Sequence, residues 1–101
     1  MDRQSVRHMV IFNLKHPKGS AEAERFLSLG ESTLTTIPGV KQFKVFRQVS
    51  PKNEYDYGFS MDFDTQADYD AYSSHPVHDK FVQEHWIPEV VKFLEIDFAL
   101  K

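Results

Sequence analysis

The chain has 101 residues, about one domain's worth, and no cysteine, which removes disulfides, thiolate nucleophiles and cysteine-held zinc or iron–sulfur sites. Twelve Lys and Arg against fifteen Asp and Glu give a formal charge of -3 with no basic stripe, which argues against a nucleic-acid partner. Hydrophobic residues make up 41% and aromatic residues 14%, including nine Phe, an awkward load of large rings for a thin monomeric core.

Met1–Ser5 lacks the apolar core of a signal peptide. The longest apolar run, Met9–Phe12, falls far short of the roughly 18–20 residues that span a bilayer. These features predict a cytoplasmic protein with no membrane partner. Residues 7–15 read as a strand, dense in β-branched and aromatic residues and stopped by Pro17-Lys18-Gly19. The period then changes: Ala23, Phe26, Leu27, Gly30 and Leu34 share one helical face over residues 20–36. Ser20 is the expected N-cap, Glu22 and Glu24 suit the first turn, and Ile37-Pro38-Gly39 ends the helix.

Residues 40–49 alternate again, with Phe43, Val45 and Val49 on one face and Val40 and Phe46 on the other. Residues 50–54 form a loop by composition. Residues 55–63 alternate most cleanly, with Tyr55, Tyr57, Phe59, Met61 and Phe63 facing one way. Asp64 or Thr65 can cap a short helix carrying Tyr69 and Tyr72. His75-Pro76 breaks that helix and starts another, carrying Val77, Phe81, Val82 and Trp86, which Ile87-Pro88 is expected to end. Residues 90–100 form the last strand, with Leu94, Ile96, Phe98 and Leu100 opposing Val91, Phe93, Glu95 and Asp97.

The order predicts one α+β domain over residues 1–101: a ferredoxin-like β-α-β-β-α-β fold with a split second helix and a four-stranded antiparallel sheet. The first strand is apolar on both faces, with His8, Val10, Phe12 and Leu14 opposing Met9 and Ile11. Helices can cover only one of those faces. A wet outer face should alternate cleanly, and burying one Phe or Ile is worth roughly 1.5–3 kcal/mol. The pattern therefore predicts a homodimer, sheet against sheet, closing into a dimeric α/β barrel.

The sequence resembles the stress-responsive A/B barrel domain (Dabb) family of the dimeric α/β barrel superfamily. The resemblance is carried by Arg7-His8-Met9-Val10, Asp56-Tyr57-Gly58, Ile37-Pro38-Gly39-Val40 and Tyr72-Ser73-Ser74-His75-Pro76-Val77-His78. It extends over nearly the whole chain and implies a cavity between sheet and helices in each subunit. His75 and His78 lie three apart around a helix start, and His8 reaches the same cavity if its face meets the helices. The expected ligand contacts are therefore His8, Phe12, Tyr72, His75 and His78, and the expected ligand is a small apolar organic molecule.

An imidazole can take a proton from a carbon beside a carbonyl, and a phenol can steady the oxygen on which charge develops. The resemblance to a plant polyketide cyclase of the family gives these roles to His78 as base and Tyr72 as donor. The alternatives are a cyclase-like or isomerase enzyme using that pair, and a structural stress protein without catalysis in which His75 is a helix cap. No cofactor is required. A metal held by His75 and His78 needs a third ligand from His8, Asp79 or His85. The family also implies a magnesium-type cation on the backbone carbonyls of Leu34, Ile37 and Val40, which are hard oxygen ligands. Asn13, Trp86 and the histidines do not match the arrangement used by related haem-degrading enzymes.

Overall fold

Strand β1 spans Val6–Leu14 in the computed structural model, which describes residues 1–101. Helix α1, Ala21–Leu34, starts where the Ser20 hydroxyl accepts the Ala23 N–H at 3.2 Å, with Glu22 and Glu24 in its first turn. It buries Ala23, Phe26, Leu27, Gly30 and Leu34, the face expected from their spacing. Gly39 then turns the chain at φ 92, a conformation that favours glycine.

Strands β2, Lys41–Arg47, and β3, Tyr57–Phe63, follow. β2 carries a bulge: Lys41 pairs with Asp62 and Lys44 with Ser60, so Gln42 and Phe43 together oppose Met61. The bulge, with Gln42 at φ 53, keeps Phe43 beside Phe59 at a ring separation of 5.3 Å. Val49 departs from expectation. β2 stops at Arg47, two residues short of it, and Val49 stands exposed in the loop.

Helix α2, Gln66–Ser73, is capped by Thr65, and α3, Pro76–Phe81, by His75. Ile87-Pro88 does not end the helical run. A π-helical turn at Val82–Trp86 lets the Ile87 N–H reach the Val82 carbonyl, and a last helical turn, α4, continues over Ile87–Glu89. Pro88 sits at the start of that turn, where its missing N–H is not needed. Strand β4, Val90–Phe98, follows without a loop.

The sheet order is β2-β3-β1-β4 with every neighbour antiparallel, the ferredoxin-like arrangement with the second helix split. The register puts His8 opposite Met61 and Asp97, Val10 opposite Phe59 and Glu95, and Phe12 opposite Tyr57 and Phe93. These residues share the helix-covered face. The other face carries a row across the whole sheet: Leu94 beside Ile11, Ile11 beside Gly58, Gly58 beside Phe46. No element of the chain covers it, and Phe46, Leu94 and Phe98 remain 45%, 48% and 50% exposed. No helix is long and apolar enough to cross a membrane.

Candidate functional site

A cavity of about 380 Å³ opens between the sheet and the helical run α2–α4. Phe59, Met61, Phe81, Trp86 and Phe93 supply much of its apolar lining. Its polar side chains are His8 from β1, Tyr72 from α2, His78 from α3 and Glu95 from β4. Local sequence sets each of these. The strand alternation aims His8 and Glu95 at the helices, while His75-Pro76 turns the chain so that α3 brings His78 against Tyr72, ring centroids 4.8 Å apart.

Burial pushes the His78 imidazole below its ordinary value; Asp79 opposes this and His8 reinforces it. The Ser73 backbone opposes it slightly, without a hydrogen bond of ordinary geometry to the ring. His78 Nδ1 is the one buried side-chain polar atom without a hydrogen-bond partner. An unpaired buried atom costs roughly 1–3 kcal/mol, a cost more readily explained at a functional site than in a passive core. Burial holds the Tyr72 hydroxyl well above the ordinary phenol value, with the Glu95 charge adding to it. Tyr72 is therefore a hydrogen-bond donor at neutral pH.

His8 is held differently. Its Nδ1 lies 2.6 Å from Asp97 Oδ1, and the Tyr69 hydroxyl lies 2.9 Å from Nδ1 and 2.9 Å from Asp97 Oδ2. Burial, then the bond to Asp97, raises the Tyr69 phenol as well, so it too keeps its proton. Neither His8 Nε2 nor the Tyr72 hydroxyl has a protein partner, and neither is sealed off, so both are open to the cavity.

The family profile described as Stress responsive A/B Barrel Domain (Dabb) matches residues 6–100. The chain belongs to this family. The Dabb assignment agrees with a Dabb-family protein of ferredoxin-like fold from Mesorhizobium loti MAFF303099, 48% identical, with a TM-score of 0.94 over 96% of this chain and 97% of that one. A hydroxynitrile lyase from Passiflora edulis has the same fold at 16% identity, TM-score 0.83, over 98% of this chain and 95% of that one. A dimeric ferredoxin-like protein of unknown function from Bacteroides fragilis NCTC 9343 has it at 18% identity, TM-score 0.73, over 99% and 100%. No curated protein matches the sequence.

Of the Dabb site residues expected from sequence, the structure brings His8, Tyr72 and His78 together around one cavity. Phe12 and His75 lie elsewhere. Phe12 is fully buried among Phe26, Tyr57, Phe59 and Trp86, one layer behind the lining. His75 uses Nδ1 to accept the Val77 N–H at 3.1 Å, which caps α3. The carbonyls of Leu34 and Ile37 accept the turn N–H groups of Ile37 and Val40 at 3.2 and 3.4 Å. The turn from Thr35 to Val40 contains no carboxylate. It fits a divalent cation poorly. No group of three or more His, Asp or Glu side chains is placed to hold a metal.

Sequence reasoning missed Asp97, Glu95 and Tyr69 as site residues. The signal was present: Tyr69 precedes Tyr72 by three residues on a helix, and Asp97 and Glu95 alternate with Phe93. Without the β1–β4 register, Asp97 could not be assigned to His8.

Proposed function

We propose that this Dabb protein binds a small, flat, mostly apolar organic molecule bearing one oxygen acceptor, in the cavity bounded by His8, Tyr72 and His78. The observation that carries this reading is an apolar cavity into which an unpartnered phenol donor opens. Glu95 is the one carboxylate of the lining, and no Lys or Arg joins it, which favours a neutral ligand over a carboxylate. The working unit in this reading is a homodimer joined through the row Leu94, Ile11, Gly58 and Phe46. That row's exposed apolar side chains support it, as does the dimeric state of the Bacteroides fragilis neighbour.

Trp86 is the single tryptophan and lines the cavity, so its emission reports occupancy. Titration with acetylnaphthalene, a flat neutral ketone, should give a saturable change in Trp86 fluorescence. Tyr72→Phe should weaken it by about three- to tenfold, the worth of one hydrogen bond. A linear, non-saturating response would remove the ligand reading and leave the structural stress protein.

A second reading is acid–base catalysis of the cyclase or isomerase type, with Tyr72 as donor and His78 as base. It is favoured by the edge-on approach of these two rings at 4.8 Å. The hydroxynitrile lyase indicates that the fold can carry an enzyme; at 16% identity it lends no residue roles. Tyr72→Phe and His78→Ala should each abolish turnover of a carbonyl substrate while leaving the fold intact.

A further inference from the structure

We propose that His8, held by Asp97 and Tyr69, is the general base of this cavity. The proposal rests on the ligand-binding reading above and assigns that site's proton acceptor to a residue other than His78.

His8 and Asp97 are direct cross-strand partners on the helix-covered face, so their contact is fixed by the β1–β4 ladder. A carboxylate can only accept hydrogen bonds, so the 2.6 Å contact requires the proton on His8 Nδ1. Tyr69 has a single hydroxyl proton, and Asp97 Oδ2 at 2.9 Å is its acceptor. Asp97 therefore receives Nδ1–H on one oxygen and the Tyr69 hydroxyl on the other. An imidazole so held has one neutral tautomer, with its lone pair on Nε2. That nitrogen has no protein partner, and the ring borders the cavity. This is the logic by which a buried carboxylate orients a catalytic imidazole and stabilises the cation formed when it takes a proton.

Tyr69 has a specific task. Asp97 sits on an edge strand with its side chain 43% exposed, where water would compete for it. The Tyr69 hydroxyl, brought over by α2, pins the second oxygen. Tyr69 and Asp97 are thus positioning residues, and His8 is the group that meets the ligand. His78 lacks a carboxylate partner of this kind: its Nδ1 makes no hydrogen bond of ordinary geometry. The groups around His8 are Asp97 and Glu95 from β4, Tyr69 and Tyr72 from α2, and His78 from α3.

The test uses a nitro-substituted benzisoxazole, a flat neutral aromatic whose ring opening reports a positioned base. The base takes the proton from the ring carbon beside nitrogen. The C–H electron pair becomes part of a nitrile, the N–O bond breaks, and its pair leaves on the phenolate oxygen. In this protein His8 Nε2 would take the proton and the Tyr72 hydroxyl would bond to the phenolate. Three measurements are made: release of the coloured phenolate, probe binding by Trp86 emission, and the ¹⁵N shifts of the histidine rings.

The wild-type protein should bind the probe and open it faster than an equal concentration of free imidazole. His8→Gln should lower kcat about a hundredfold, in the range of positioned acid–base catalysis. Tyr69→Phe and Asp97→Asn should lower kcat about tenfold or more with probe binding unchanged, and should move His8 away from the Nδ1–H tautomer expected in the wild-type ¹⁵N spectrum. A structural role alone would not shift that tautomer. The proposal is overturned if His78→Gln, and not His8→Gln, removes the rate, if the wild-type His8 ring carries its proton on Nε2, or if the probe binds without turning over. In that last case the ligand reading survives. If the probe does not bind at all, both fall.

Discussion

Gly30→Ala tests whether the cavity wall is built against the helix backbone. Gly30 lies in the middle of α1, and a Cβ there would sit 2.6 Å from Phe59 Cζ and 2.9 Å from its Cε2, with Phe81 Cζ at 3.5 Å. Carbon atoms prefer roughly 3.5–4.0 Å, so the Phe59 ring tip must retreat by about 1 Å. It has little room to do so. Phe12 packs at a centroid distance of 4.9 Å, Phe43 at 5.3 Å and Phe26 at 6.4 Å. Overpacking of this kind costs roughly 1–3 kcal/mol. Replacing Gly by Ala inside a helix contributes about 1 kcal/mol the other way. The expected net effect is destabilisation by about 1 kcal/mol in urea unfolding.

Phe59 and Phe81 both line the cavity, so the displaced rings should also shrink it and weaken acetylnaphthalene binding, read by Trp86 emission. A double-mutant cycle isolates the cause. In a Phe59→Leu background the obstructing ring tip is gone, and the same Gly30→Ala change should stabilise by about 1 kcal/mol. If Gly30→Ala stabilises the unmodified protein by that full amount, the ring yields freely and the close approach is not a structural requirement.

Ile11→Lys places a charge at the centre of the uncovered sheet face, between Leu94 and Gly58. Sedimentation at micromolar concentration should fall from twice the 11.8 kDa chain mass to the monomer value; a wild-type monomer would refute the dimer. His75→Ala removes the cap of α3 and should cost about 1 kcal/mol in unfolding experiments while leaving probe affinity unchanged, which separates it from His78. His78 gives a pH dependence. Its folded value lies below the ordinary 6.5, so the unfolded chain takes up this proton first as the pH falls. The stability it supports is complete above about pH 6.5 and declines as pH drops from there through the folded value. His78→Gln should flatten that slope in denaturant titrations between pH 7 and pH 5; an unchanged slope would show that other groups control it.

The elements were legible because their residues obey one period at a time. The alternation from Tyr57 to Phe63 and the helical spacing from Ala23 to Leu34 correspond directly to β3 and α1. The bulge at Gln42 was not legible, since it depends on which residues of β2 face Asp62 and Ser60, a pairing fact. The passage through Pro88 was hidden for a similar reason: the π turn moves the hydrogen bond to Ile87, so the proline interrupts nothing. The site divided along the same line. Tyr72 and His78 share one local segment and could be found by spacing. The His8–Asp97 contact joins residues 89 positions apart and exists only through strand register.

That register also explains why the cavity lies where it does. The row through Phe12 holds Tyr57 and Phe93 beside it, and large rings fill the space beneath the helices. One row on, Val10 stands between Phe59 and Glu95, a small side chain beside one ring and one half-apolar stem. Side-chain volume falls there, and the cavity borders this row. In the next row the strand changes character, with Met61, His8 and Asp97 in line. A ligand lying along β1 would therefore have rings at one end and an oriented imidazole at the other. On the opposite face, Leu94, Ile11, Gly58 and Phe46 form a row interrupted only by a glycine, with the Arg7–Asp62 ion pair towards one end of β1 and Asn13 towards the other. One strand thus presents a graded face suited to a small molecule and a flat apolar face suited to another sheet. Most of the aromatic rings pack on the first face, and Phe46 and Phe98 stand on the second.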